Sequence, residues 1–250
     1  MPATTSPATR WLRPCNTVAR PRLRLLCLPH AGGTAHAYRT WPTELPDDVA
    51  VLAVQYPGRQ DRLAEPPATR IEDLVNPIAD ALAPYAGEPL VVFGHSMGAS
   101  VGYELTVELE RRHGPVVDLL VASGSIAPHH RDPHQAHTLP DAELLADVKR
   151  VNGSFAPLLE APDLVELLLP TIRADYRLSQ TYLRPQALAV QASLLALGGA
   201  DDPDVSHNDL LSWSAVTAGT FTAQSLPGGH FYLAEHEQAT LRALAAHFPR

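Results

Sequence analysis

Six short apolar runs recur along the chain between longer amphipathic stretches, and this alternation restricts the possible fold more than any other feature. The runs are "LRLLCL" from Leu23, "VAVLAVQY" from Val49, "PLVVFG" ending at Gly94, "DLLVAS" from Asp118, "SLLALGG" from Ser193 and "TAQSL" from Thr222. Strands apolar at nearly every position are buried on both faces, which calls for helices on both sides and hence a mostly parallel sheet. "IEDLVNPIADALAPY", "MGASVGYELTVELERR" and "EQATLRALAAHF" supply such helices, with apolar residues near a 3.6-residue period. The expected class is α/β, in a single domain over residues 1–250.

The rhythm breaks over 129–185, where helical stretches follow one another with no strand between them. "DAELLADVKRV" and "PDLVELLLPTIRADYRLSQTYL" carry apolar faces that cannot all reach the main sheet. They are expected to pack over its upper edge as an inserted helical lid, two ordinary flanking helices being the alternative. The opening "MPATTSPATRW" reads as a loose terminus without a signal-peptide core. The longest nearly apolar segment, "ALAVQASLLAL", is well short of the roughly 18 residues that a membrane helix needs. A soluble chain with no membrane partner is expected.

A formal charge of −8 and a pI near 5.8 oppose attraction to nucleic acid, which is excluded as a partner. Cys15 and Cys27 are the only cysteines, and Cys27 lies inside an apolar run, as a buried reduced thiol would in the cytoplasm.

The third apolar run leads into Gly94-x-Ser96-x-Gly98 and then a helical stretch. A serine on such a strand-to-helix turn is forced into strained backbone geometry, and small flanking residues let strand and helix close around it. Ser96 is therefore the candidate nucleophile, a serine cap on a tight turn being the plainer reading. A serine hydroxyl needs a base, and the base an orienting carboxylate, in the chain order Ser, acid, His. "LLALGGADDPDVS" ends an apolar run in a turn with Asp201, Asp202 and Asp204. Asp202 is chosen because the Gly199-x-x-Asp202 spacing lets the turn present one carboxylate to the sheet edge, while its neighbours stay solvated or cap a helix near Ser206. "SLPGGHFYLAEH" places His230 after a Gly-Gly turn that can swing an imidazole over Ser96. His95 should point elsewhere on its turn. The oxyanion would be held by the Met97 N–H and by a donor from the loop "LCLPHAGGTA", with Ala31 first and Gly32 next.

Two other groups need a reading. "HHRDPHQAH" gathers His129, His130, His134 and His137 but lacks a zinc-ligand pattern, so it is taken as a solvated loop and no metal is expected. Arg59 in "QYPGRQDR" would face the site or a partner's phosphate, or form a surface salt bridge.

Together "LCLPHAGGTA", "QYPGR", "GHSMGA", the length of the insertion and "LPGGHFYL" make the chain resemble the type II thioesterases of polyketide and nonribosomal peptide synthesis, from about Trp11 onward. The resemblance implies an α/β-hydrolase fold with a mobile helical lid. It implies Ser96, Asp202 and His230 as the triad and Ala31 with Met97 as oxyanion donors. The implied substrate is an acyl group thioesterified to the phosphopantetheine arm of an acyl or peptidyl carrier protein, removed when aberrant or stalled, or released as product. No cofactor is implied. A general carboxylesterase and a noncatalytic acyl-binding protein are the alternatives, and a monomer is the simplest assembly. Carrier proteins are often acidic, so a local basic patch is expected, from Arg59 or from Arg20, Arg22 and Arg24.

Overall fold

The computed structural model describes residues 7–85, 87–131, 134–151 and 161–249. Its centre is a seven-stranded sheet of β1 (Leu12–Pro14), β2 (Leu23–Leu28), β3 (Val49–Val54), β4 (Leu90–His95), β5 (Leu119–Ser123), β6 (Ser193–Gly199) and β7 (Phe221–Leu226), in the spatial order β1-β3-β2-β4-β5-β6-β7. All six runs read from the sequence are strands, and every pairing among them is parallel.

Alternation within each strand explains the layers. Leu23, Leu25 and Cys27 of β2, Val91 and Phe93 of β4, and Leu195 and Leu197 of β6 share one apolar cluster with Trp41 and Tyr38. Leu26 and Leu28, Val92, and Leu194 and Ala196 point the other way into a second cluster. Helix α2 (Glu72–Leu82) and helix α3 (Met97–His113) cover the second face, while a C-terminal helix over Glu237–Ala245 covers the first. Burying both faces of a six-residue strand such as β3, whose residues are all buried, requires both layers.

The first residues depart from expectation. Rather than a loose terminus, Pro7–Trp11 forms a short helix, α1, and β1 pairs antiparallel with β3, Leu12 opposite Val54. Leu12 is 2% exposed, and the Arg62 guanidinium stacks over the Trp11 ring at 4.1 Å. Packing of Trp11 and Leu12 holds an edge strand too short to carry a periodic signal. Met1–Ser6 lie outside the described residues.

Between β5 and β6, helix α4 (Asp141–Val151) and helix α5 (Pro162–Thr181) fall where the sequence placed helices without a strand. Val148 and Ile172 form a small separate apolar cluster with Leu145, Val165, Leu168 and Tyr176. Parts of the 129–185 insertion, 132–133 and 152–160, lie outside the described residues. Among the described residues no helix is long and apolar enough to cross a membrane.

Candidate active site

Ser96 sits between β4 and α3 with φ 55° and ψ −114°, one of two non-glycine residues at positive φ among those described. Such a conformation costs about 1–3 kcal/mol and persists only where its surroundings over-determine it. Here the Ser96 N–H is tied to the Ser123 carbonyl at 2.8 Å. A Cβ on Gly94 would stand 2.0 Å from the Gly98 carbonyl oxygen, and one on Gly98 would stand 2.1 Å from that of Leu28. Both positions are glycine because the turn, the helix and the end of β2 meet backbone to backbone. The Ser96 hydroxyl makes no hydrogen bond among the described residues, and Ser96 lines a cavity of about 480 Å³.

His230 lines the same cavity, 7% exposed, with Nδ1 2.7 Å from Asp202 Oδ2. The other carboxylate oxygen, Oδ1, accepts the N–H groups of Asp204 (2.9 Å) and Val205 (3.2 Å). The turn thus builds a cradle around one carboxylate. Donation of Nδ1–H to Asp202 leaves Nε2 as the basic nitrogen of the imidazole. Asp204, by contrast, pairs with Arg150 at 2.9 Å, and Asp201 is exposed. Helix α6 (His207–Leu211) begins after Ser206, as expected, but its capping box is completed by Asp209 rather than by a neighbour of Asp202. A Cβ on Gly199 would lie 2.1 Å from the Gly229 carbonyl oxygen, so glycine at the end of β6 lets the acid's turn meet the histidine's.

The Met97 N–H opens α3 and has no partner within the helix, and the Ala31 N–H makes no hydrogen bond among the described residues. Gly32, the second choice for a donor, is excluded: its N–H goes to Asp175 Oδ2 at 2.7 Å. The same carboxylate grips Arg59 with two contacts of 2.8 Å, and Arg59 Nη1 also donates to the Gly33 carbonyl. Arg59 is therefore neither a surface pair nor turned to a partner's phosphate, because its side chain is 4% exposed and that of Asp175 2%. Arg22 and Arg24 are likewise engaged, with Asp48 and Glu88, which leaves Arg20 as the exposed member of that group without a carboxylate among the described residues. The expected basic patch does not form at these positions.

Sequence reasoning missed the company His230 keeps. His95 turns away from the cavity, as expected, to Ser123 Oγ at 2.9 Å, and Ser123 in turn meets the Tyr232 hydroxyl at 2.7 Å. Its ring still lies 5.1 Å from that of His230, and His30 and Phe231 complete an aromatic cluster. Burial holds His95 well below the ordinary histidine range. His30 is lowered to about 3, by burial first and then by His230 and Arg59. These residues come from four separate loops and strand ends, so no spacing in the chain announces them.

Below pH about 6.5 the unfolded chain protonates its histidines while the folded chain refuses a proton at His30. The unfolded state then binds more protons, so unfolding free energy falls as pH drops from about 6.5 toward 3 and is unaffected by this group above that window. Urea titrations across that range should show a shallower loss of stability in His30→Gln than in the parent. Equal slopes would contradict the burial argument.

Among the described members of the histidine-rich segment, His130 and His134 line the cavity and His137 bonds Gln180, so this loop contributes to the site instead of being purely solvated. Among the described residues no three metal-ligating side chains gather.

The chain matches known proteins over nearly its whole length. The profile of the thioesterase domain family matches residues 23–248. Thioesterase PikA5 of Streptomyces venezuelae is 39% identical over 224 residues, covering 89% of this chain and 80% of that protein. Among solved structures, the type II thioesterase BorB from the borrelidin biosynthetic cluster superposes with a TM-score of 0.87 at 38% identity, covering 95% of this chain and 97% of its own. RedJ, the thioesterase of the prodiginine pathway in Streptomyces coelicolor, gives a TM-score of 0.86 at 35% identity, with 91% of each chain covered.

Proposed function

Because the chain belongs to the thioesterase domain family, with the fold of type II thioesterases from polyketide and nonribosomal peptide pathways, we propose that it hydrolyses acyl groups from the phosphopantetheine arm of carrier proteins through Ser96, Asp202 and His230. The observation that carries this is a strained serine and an aspartate-bound histidine lining one cavity beside two uncommitted N–H groups.

In this mechanism His230 Nε2 takes the Ser96 proton and Oγ attacks the thioester carbonyl. The Ala31 and Met97 N–H groups hold the oxyanion, and each is worth about 10²- to 10³-fold in rate. The intermediate collapses with cleavage of the C–S bond, and the imidazolium, stabilised by Asp202, gives its proton to the departing thiolate, which leaves as the thiol. Water activated by the same imidazole then cleaves the acyl ester and restores Ser96. No step needs a cofactor.

Helices α4 and α5 act in this account as the lid over 129–185, since Val148, Ile172 and Tyr176 line the cavity. Any opening belongs to α4 and the first half of α5, because Thr171 and Asp175 fasten the second half to Gly58, Arg59 and Gly32. The free thiols Cys15 and Cys27 suit a reducing cytoplasm, and a monomer suffices for the site. The test compares a propionyl-loaded carrier protein with a propionyl oxygen ester. A higher kcat/KM on the carrier supports the assignment, and preference for the oxygen ester would make the protein a carboxylesterase.

A further inference from the structure

A guanidinium drawn out of water generally has a carboxylate partner, because desolvating a charge without one is costly. Arg59 and Arg62 obey this rule, each held by two contacts to a carboxylate, of Asp175 and Glu65. Arg131 does not. Its guanidinium donates only to neutral oxygens, namely Ser125 Oγ and the carbonyls of Ile126 (3.3 Å) and Ser179 (3.2 Å), and no described carboxylate pairs with it. Burial lowers it to about 10.

Arg131 also lines the cavity that holds Ser96 and His230. The described carboxylates that line the same cavity are committed elsewhere: Asp147 and Asp204 to Arg150, and Asp209 to the cap at Ser206. A guanidinium offers five N–H donors in a planar fork, and three acceptors leave two of them for a ligand. We infer that Arg131 is a subsite for the free carboxylate of a dicarboxylic acyl group, such as malonyl, whose thioester carbonyl lies at Ser96. This deepens the proposed thioesterase reading and rests on it.

Position favours the acyl chain over the other anion of the substrate, the phosphate of the pantetheine arm. Ser125, which anchors the guanidinium, lies two residues beyond Ser123, and Ser123 pairs in register with His95, the neighbour of the nucleophile. The phosphate is a full arm's length from the sulfur, whereas a malonyl carboxylate is separated from the thioester carbonyl by one methylene.

The experiment measures kcat/KM for malonyl and propionyl thioesters, each on N-acetylcysteamine, which has no phosphate, and on phosphopantetheine. The expected result is that Arg131→Gln lowers the malonyl-to-propionyl ratio by about 10- to 100-fold on both carriers, the range of one or two charge-assisted hydrogen bonds. Arg131→Lys should recover part of the ratio. An unchanged ratio overturns the inference, and so does a loss confined to phosphopantetheine substrates, which would assign Arg131 to the phosphate. A binding arm separates this from failure of the thioesterase reading. Ser96→Ala protein should bind a nonhydrolysable ketone analogue of malonyl-pantetheine at least 10-fold more tightly than the propionyl analogue. Adding Arg131→Gln should abolish that preference even if the parent turns over neither thioester. Equal binding of the two analogues by Ser96→Ala alone would also overturn it.

Discussion

Alanine at Ser96 or at His230 is expected to reduce kcat on an acyl thioester by on the order of 10⁶-fold, and the double variant should lose no more than either single one. The non-additivity follows from the shared step: without the hydroxyl there is no proton for the imidazole to take, and without the imidazole the hydroxyl is a poor nucleophile. Asp202→Asn should cost about 10⁴-fold. The Nδ1–Oδ2 contact of 2.7 Å fixes which nitrogen carries the proton, and an amide can present its NH₂ to Nδ1 and favour the wrong tautomer. Asp201→Asn is the control, because Asp201 is exposed and its carboxylate holds no partner among the described residues. Additive losses in the double variant, measured by steady-state kinetics on one thioester, would mean that Ser96 and His230 act in separate steps.

The second large effect concerns stability. Asp175→Ala leaves the buried Arg59 guanidinium without its counter-charge and the Gly32 N–H without its acceptor. Breaking a buried pair from one side costs about 3–5 kcal/mol, which for a chain of this size lowers Tm by roughly 6 to 20 °C. Asp175→Asn can still accept the Gly32 N–H and should melt between the two. Replacing both partners together, Arg59→Met with Asp175→Leu, should recover part of the loss, since no charge is then stranded. Thermal melts of the four proteins decide this, and an Asp175→Ala protein that melts with the parent would remove the clamp from the account.

Local rules made much of this molecule legible. β6 coincides with "SLLALGG" and α4 with "DAELLADVKRV", because apolar period and turn residues are written in adjacent positions. The glycines around Ser96 were readable for the same reason: the close approach they permit involves a turn whose type the sequence specifies. Asp175 was not legible. It lies 143 residues from Gly32 and 116 from Arg59, mid-helix in α5, and nothing local distinguishes it from a solvated helix carboxylate. Without that contact in view, the sequence alone leaves Gly32 as a spare donor. Arg131 and His30 share the difficulty, since both are half-buried and what matters about each is which groups stand beside it, which is a tertiary fact. β1 was missed because three residues are too few to show a period and only the packing of Trp11 and Leu12 holds them.

The most direct test of the central claim is the intact mass of a propionyl-loaded carrier protein followed over time with the parent enzyme and with Ser96→Ala side by side. The expected result is loss of the propionyl mass, with the phosphopantetheine arm retained, in the parent alone. Equal deacylation by Ser96→Ala, or none by either protein, would contradict it.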